Sequence, residues 1–241
     1  MEPTRHDSPE QRSSMLPGDY SPGRHILTTV LIASGIATTA LLVARRAAAI
    51  DWLLVPAFFV LANFVEWAVH KNPMHRPLPP RILYQNHTLV HHRAFLPDTL
   101  KINNSRELGL IMMPWYTMLG LFTVVSPVAI ALGLWRGSGA AGIFYVSCAL
   151  YFCCYEGLHA LYHQSDETLA KVGLGGRLFR AMQGHHRHHH RLDRMSHVNF
   201  NVTFPLMDWL LGTKESPSAV PLGVAGGAKA AADPKPRPAN A

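Results

Sequence analysis

Apolar residues in this chain come in long blocks, without the period-two alternation of a half-buried strand. The first block runs from Ile26 to Ala44 and the second from Trp52 to Val69. Each approaches the roughly 20 residues that a helix needs to cross a bilayer, and the polar link Arg45 to Asp51 leaves room only for a tight turn between them. A third block, Leu108 to Trp135, carries Pro114 and Pro127; a fourth runs from Ala140 to Tyr162, with Gly137, Ser138 and Gly139 at the turn. The pattern predicts an all-α integral membrane protein with about four transmembrane helices in two hairpins. Two full crossings with two shallower helices is the other drawing that the prolines and glycines of the third block leave open.

Composition agrees with that placement. Of 241 residues 48% are hydrophobic and 15% charged, against about 25% charged in an ordinary soluble domain. Two hairpins put both termini and the long polar link on one side. That side holds 19 of the 22 Lys and Arg, leaving only Arg45, Arg46 and Arg136 opposite. The asymmetry predicts a multi-pass protein whose termini and polar link face the cytoplasm, and it accounts for the +7 formal charge without nucleic acid. Residues 1–24 form a polar N-terminal segment with no charged-then-apolar run, so no cleaved signal peptide is expected. Residues 25–213 are the domain, and 214–241 read as a low-complexity disordered tail. Cys148, Cys153 and Cys154 lie in the fourth block without CxxC spacing and are read as packing residues.

Thirteen of the fifteen histidines fall between His70 and His197, most of them in four clusters beside the apolar blocks: His70 and His75; His87, His91 and His92; His159 and His163; His186, His189 and His190. Residues four apart share a helix face, which pairs His87 with His91, His159 with His163 and His186 with His190. His70 and His75 are five apart, about 140° round an ideal helix. Pro73 is expected to end the second helix near Asn72 and bend His75 back. One histidine alone is more often structural than a ligand, but three such pairs on one side of a membrane point to a metal centre. Neutral imidazole suits iron, zinc, copper and nickel.

The clusters HxxxxH, HxxxHH, HxxxH and HxxHH, in this order and separated by membrane hairpins, resemble the membrane-bound fatty acid hydroxylase/sterol desaturase superfamily. The segment from Asn199 to Thr213 is also similar to that family's ending, and the likeness covers about residues 52 to 213. The resemblance implies a non-haem diiron oxygenase with a four-helix membrane anchor and a histidine-rich cytosolic helical cap. It would use two iron ions, with zinc able to replace them in isolated protein, and O2 as co-substrate. Carried onto this chain, the ligands are His70, His75, His87, His91, His92, His159, His163, His186, His189 and His190. His185, His188 and His189 offer a second register of the last cluster, and His197 has no assigned place beyond a supporting one.

Glu66 and Glu156 precede His70 and His159 on their helices and are expected to take the outer N–H of those imidazoles, as carboxylates behind metal ligands do. Asp208 and Trp209 are read as anchoring the cap. An unactivated C–H bond offers nothing to an acid, base or nucleophile, so a redox metal with O2 is the chemistry such a site serves. The expected reaction is hydroxylation of a membrane lipid, a fatty acyl chain or a related lipid. Sterol or lipid desaturation and carotenoid hydroxylation are the alternatives within the superfamily, and a non-catalytic metal-binding or transport protein is the alternative outside it. No flavin, haem or iron–sulfur signature is present. Electrons are therefore expected from a separate ferredoxin or cytochrome b5 type donor with its reductase.

Overall fold

The computed structural model of the chain describes residues 8–216, and the regular elements among them are all helical. Residues from 217 onward, most of the stretch read as a tail, lie outside the described residues, as do residues 1–7. A short helix α1 (Pro9–Ser14), capped by Ser8, leads to α2 (Pro22–Ala44), whose first turn is capped by Ser21. A tight turn at Ala49–Leu53 starts α3 (Leu54–Val69). The long link then holds α4 (Arg81–Tyr84) and α5 (His92–Ala94), followed by irregular chain to α6 (Trp115–Arg136) and α7 (Ser138–Tyr162). The cap is completed by α8 (Asp166–Ala170), α9 (Gly176–His189) and α10 (Leu206–Leu210).

Among the described residues, four helical stretches are long and apolar enough to cross a membrane: Pro22–Ala44, Ala49–Met74, Ser105–Arg136 and Ser138–Tyr162. The third differs from the sequence expectation at its start. Proline lacks an N–H and restricts the residue before it, so Pro114 breaks the apolar run and α6 begins just after it, at Trp115. The preceding Ser105–Leu110 makes only a tight 3-10 turn.

Helix α7 is the hub. In its most apolar window 61% of residues are buried, against 17% in each of the other three spans, because α2, α3 and α6 all pack on it. Glycine permits the closest of these approaches. A Cβ on Gly139 would lie 2.3 Å from Ala47 N, and one on Gly142 would lie 2.5 Å from Ala44 N. Small residues bring helix backbones together where lipid supplies no hydrophobic drive between helices. At the end of the spans away from the histidines, Asp51 and Arg136 pair at 2.6 Å and tie the turn that starts α3 to the end of α6. At the other end, α7 meets α9 and the turn after α3, at His70–Met74, meets the turn before α5, at Gln85–His91, and there the histidines converge.

Candidate metal centre

The ten histidines of the four clusters form two buried groups of five. His70, His75, His87, His92 and His189 make the first group; His91, His159, His163, His186 and His190 make the second. Within each group the facing nitrogen atoms all lie within 4.8 Å of one another.

Local backbone explains which histidines share a group. After Val69 the chain does not end its helix near Asn72; it widens into a π-type turn over His70–Met74 that contains Pro73. A turn closed between residues five apart sets one above the other, and the rings of His70 and His75 stack at 5.1 Å. A second wide turn covers Gln85–His91 and has a like effect. His87 and His92, five apart, bring their Nε2 atoms to 3.1 Å in the first group, while His91 joins the second. The expected pairing of His87 with His91 is thus divided between the groups, although their rings still stack at 5.2 Å. Wide turns of this kind recur at functional sites. The other two four-residue pairs sit on α-helical turns and stay together.

Each imidazole has one nitrogen that faces the group and another that faces the fold. Nδ1 of His70 donates to the Phe200 carbonyl, and Nδ1 of His189 donates to Val198 at 2.8 Å. In the second group Nδ1 of His91, His163 and His190 donate to the carbonyls of Leu110, Leu100 and Phe95 at 2.8, 2.7 and 2.6 Å. A carbonyl only accepts, so in these five rings the proton is on Nδ1 and Nε2 carries a bare lone pair. His75 is fixed the same way. The Thr88 hydroxyl donates to Met74 O at 2.6 Å, which leaves its oxygen to accept from His75 Nδ1 at 3.1 Å. The Nε2 atoms so fixed face one another closely; His75 and His189, for instance, stand 3.1 Å apart. Two lone pairs at that distance repel unless a cation lies between them, so this donor set fits a metal.

Electrostatics favour the same state. Burial holds His75 down to about 2 and His91 to about 4, and it puts His87, His92, His163, His186, His189 and His190 well below the ordinary 6.5; neighbouring imidazoles add to the effect at each. Aromatic rings complete the enclosure. Phe95 lies 4.6 Å from His163, Phe200 lies 5.8 Å from His189, and Tyr162 lies 5.9 Å from His186.

Several supporting residues stand elsewhere than the sequence led us to expect. Glu66 takes no imidazole N–H among its described bonds; it accepts from the N–H groups of Val202 and Thr203 and the hydroxyls of Thr203 and Tyr151. Glu156 accepts from Met113 N at 3.1 Å. Behind His70 the Phe200 carbonyl occupies the position that Glu66 was expected to fill. His185 donates to Asp208 and its own carbonyl accepts from Asn199, while His188 lies 3.2 Å from Glu215. Both turn away from the two groups, and it is His186, His189 and His190 that enter them. His197 is exposed. Asp208 anchors the cap as expected, accepting from Phe200 N, Asn201 N, Thr213 and His185. Burial opposes its ionisation, but these bonds outweigh it and hold the carboxyl below its ordinary value. Trp209, in contrast, is 67% exposed and anchors nothing inside the cap.

Sequence reasoning missed Asn63, which is buried in the second span. It donates to Tyr151, Thr203 and Phe204, and accepts from Met207 N. A polar side chain inside a span is costly unless paired, so the signal was present. Arg12 and Glu107, also missed, had no comparable signal.

The fatty acid hydroxylase family model matches residues 55–213. Neither a curated protein nor a solved structure matches the chain. The match takes in all ten clustered histidines, most of the second span, the third and fourth spans and the Asn199–Thr213 segment. With well over half of its length so matched, the chain belongs to the fatty acid hydroxylase family.

Proposed function

We propose that the protein is an O2-dependent membrane oxidoreductase that hydroxylates a C–H bond of a lipid, a fatty acyl chain or a related molecule. The observation that carries this reading is the pair of five-histidine groups, in which five outer N–H bonds to main-chain carbonyls turn bare Nε2 atoms inward. Two non-haem iron ions held by His70, His75, His87, His92 and His189 and by His91, His159, His163, His186 and His190 would supply the redox chemistry that an unactivated C–H bond demands.

The chain's own residues do the rest. Five carbonyls and the Thr88 hydroxyl fix the tautomer and direction of six of the rings, the task that partners behind metal ligands perform. Phe95, Phe200 and Tyr162 keep bulk water from the imidazoles. Exposed Phe204, Trp209, Leu210 and Leu211 gather in the cap beside α3. Such residues favour the apolar–water boundary, which supports a site served from the bilayer. The charge asymmetry supports a cytoplasmic position for the histidines and both termini, where a separate ferredoxin or cytochrome b5 type donor with its reductase would deliver electrons.

The test is a mass-spectrometric comparison of total lipids from cells that make the intact chain and cells that make His163→Ala at equal abundance. A lipid one oxygen atom heavier than its precursor, found only with the intact chain, is expected and identifies the substrate. A product two hydrogens lighter would replace hydroxylation with desaturation. Identical lipids, with a ferredoxin and its reductase co-expressed, would refute the oxidoreductase reading.

A further inference from the structure

The carbonyls that orient the second histidine group all come from one irregular stretch. Phe95, Leu100 and Leu110 lie in a segment with no α-helix after Ala94 and only a tight turn at Ser105–Leu110. Without a helical ladder, its other backbone groups need partners from outside. Arg12 supplies them. Its guanidinium is 1% exposed and donates to Ala94 O at 2.8 Å, to Lys101 O at 2.9 Å and to Thr99 O. These peptides adjoin Phe95 and bracket Leu100. The same group pairs with buried Glu107 at 2.8 Å and lies 4.4 Å over the Phe95 ring. Glu107 in turn accepts from Asn103 N and Nδ2 at 3.1 and 3.0 Å.

The rest of the arm follows the same strip. Met15 and Leu16 pack on the cluster of Ala94, Phe95, Leu100, Leu110 and Ile111. Arg106 donates to Tyr20 O at 2.7 Å and to Pro17 O at 3.0 Å. Tyr20 covers Gly109 so closely that a Cβ there would stand 2.5 Å from its ring. None of residues 8–20 falls within the family match at 55–213.

We infer that Arg12 is a positioning residue for the second histidine group: it clamps the peptides next to those whose carbonyls orient His163 and His190, and the 8–20 arm is a working part of that half of the centre. The inference rests on the proposed metal-binding role of the two groups. Arg12 acts through geometry, so its loss weakens one site and spares the other. Partners behind metal ligands typically contribute about 10–100-fold in affinity.

The test is Co2+ titration of the metal-free full chain in detergent, read by the absorption of the bound ion. His163→Ala and His70→Ala assign the two phases. Arg12→Met alone leaves Glu107 buried and unpaired, a defect that by itself destabilises, so the deciding variant is Arg12→Met with Glu107→Gln. That double variant is expected to bind Co2+ at the first group as the wild type does and to weaken the second phase by about 10–100-fold. Arg12→Lys, with fewer directed donors, is expected to recover part of the loss. Two sites of wild-type affinity in the double variant would overturn the inference, and so would equal weakening of both. A wild-type chain that takes up no Co2+ would overturn the proposed metal role itself, and the inference with it.

Discussion

The two halves of the centre are held by opposite chemistry. Around the first group, the loop at 198–203 turns the carbonyls of Val198 and Phe200 toward histidines, so its N–H groups face the other way and anions take them. Asp208 accepts from Phe200 and Asn201, and Glu66 accepts from Val202 and Thr203. Around the second group, the segment after Ala94 needs its other carbonyls filled, and a cation, Arg12, takes three of them. An irregular buried loop must satisfy both sets of backbone groups, and the set left over by the histidines decides the sign of its holder. The anionic holders lie within the family match and the cationic one lies outside it. The strip behind the second group is thus braced in part by a residue that the matched segment does not contain.

The largest expected effect removes one group at a time. His70→Ala and His163→Ala should each retain one metal ion per chain by elemental analysis and give no detectable product. Product from either variant would show that one group suffices and would break the equivalence of the halves.

Acid comes next. The buried histidines beyond the spans are held below 6.5 when folded, so as pH falls through 6.5 the unfolded chain takes up protons that the folded chain refuses. Stability of the metal-free protein should be fully present above that pH and decline toward pH 4, where His91 begins to protonate in the fold. Denaturant melts at stepped pH measure this, and a flat profile from 7 to 4 would contradict the enclosure.

Asp208→Asn sharpens the comparison from the anionic side. It should weaken the first Co2+ phase by about 10–100-fold and leave the second unchanged, the mirror of Arg12. A change confined to the second phase would reverse the assignment of the two racks.

Glu156→Gln should have the smallest effect. Its carboxylate accepts from Met113 N and from no histidine among its described bonds, and glutamine retains an acceptor. Metal content should match the wild type, with stability changed by no more than about 1 kcal/mol. A lost metal ion in this variant would restore the role first expected of Glu156.

Local pattern by itself marked the spans and the four histidine clusters, because both signals need only neighbouring residues: hydropathy over about 20 positions, and imidazoles repeated at short spacing beside it. Tertiary structure alone decided how the histidines divide. The wide turns at His70–Met74 and Gln85–His91 set residues five apart on one face, pairing His70 with His75 and His87 with His92 in place of His91, a choice that the surrounding packing makes. It also decided what stands behind each ring. A carbonyl belongs to every residue, so nothing in the identity of Phe95, Leu100 or Phe200 marks it as an acceptor, whereas Glu66 and Glu156 looked the part and serve other donors. Arg12 was the least legible of all. It is one arginine in a polar segment, and its partners lie more than eighty residues away at Ala94, Thr99, Lys101 and Glu107. A contact of that range exists only once the chain has folded, because no local preference of either segment requires it.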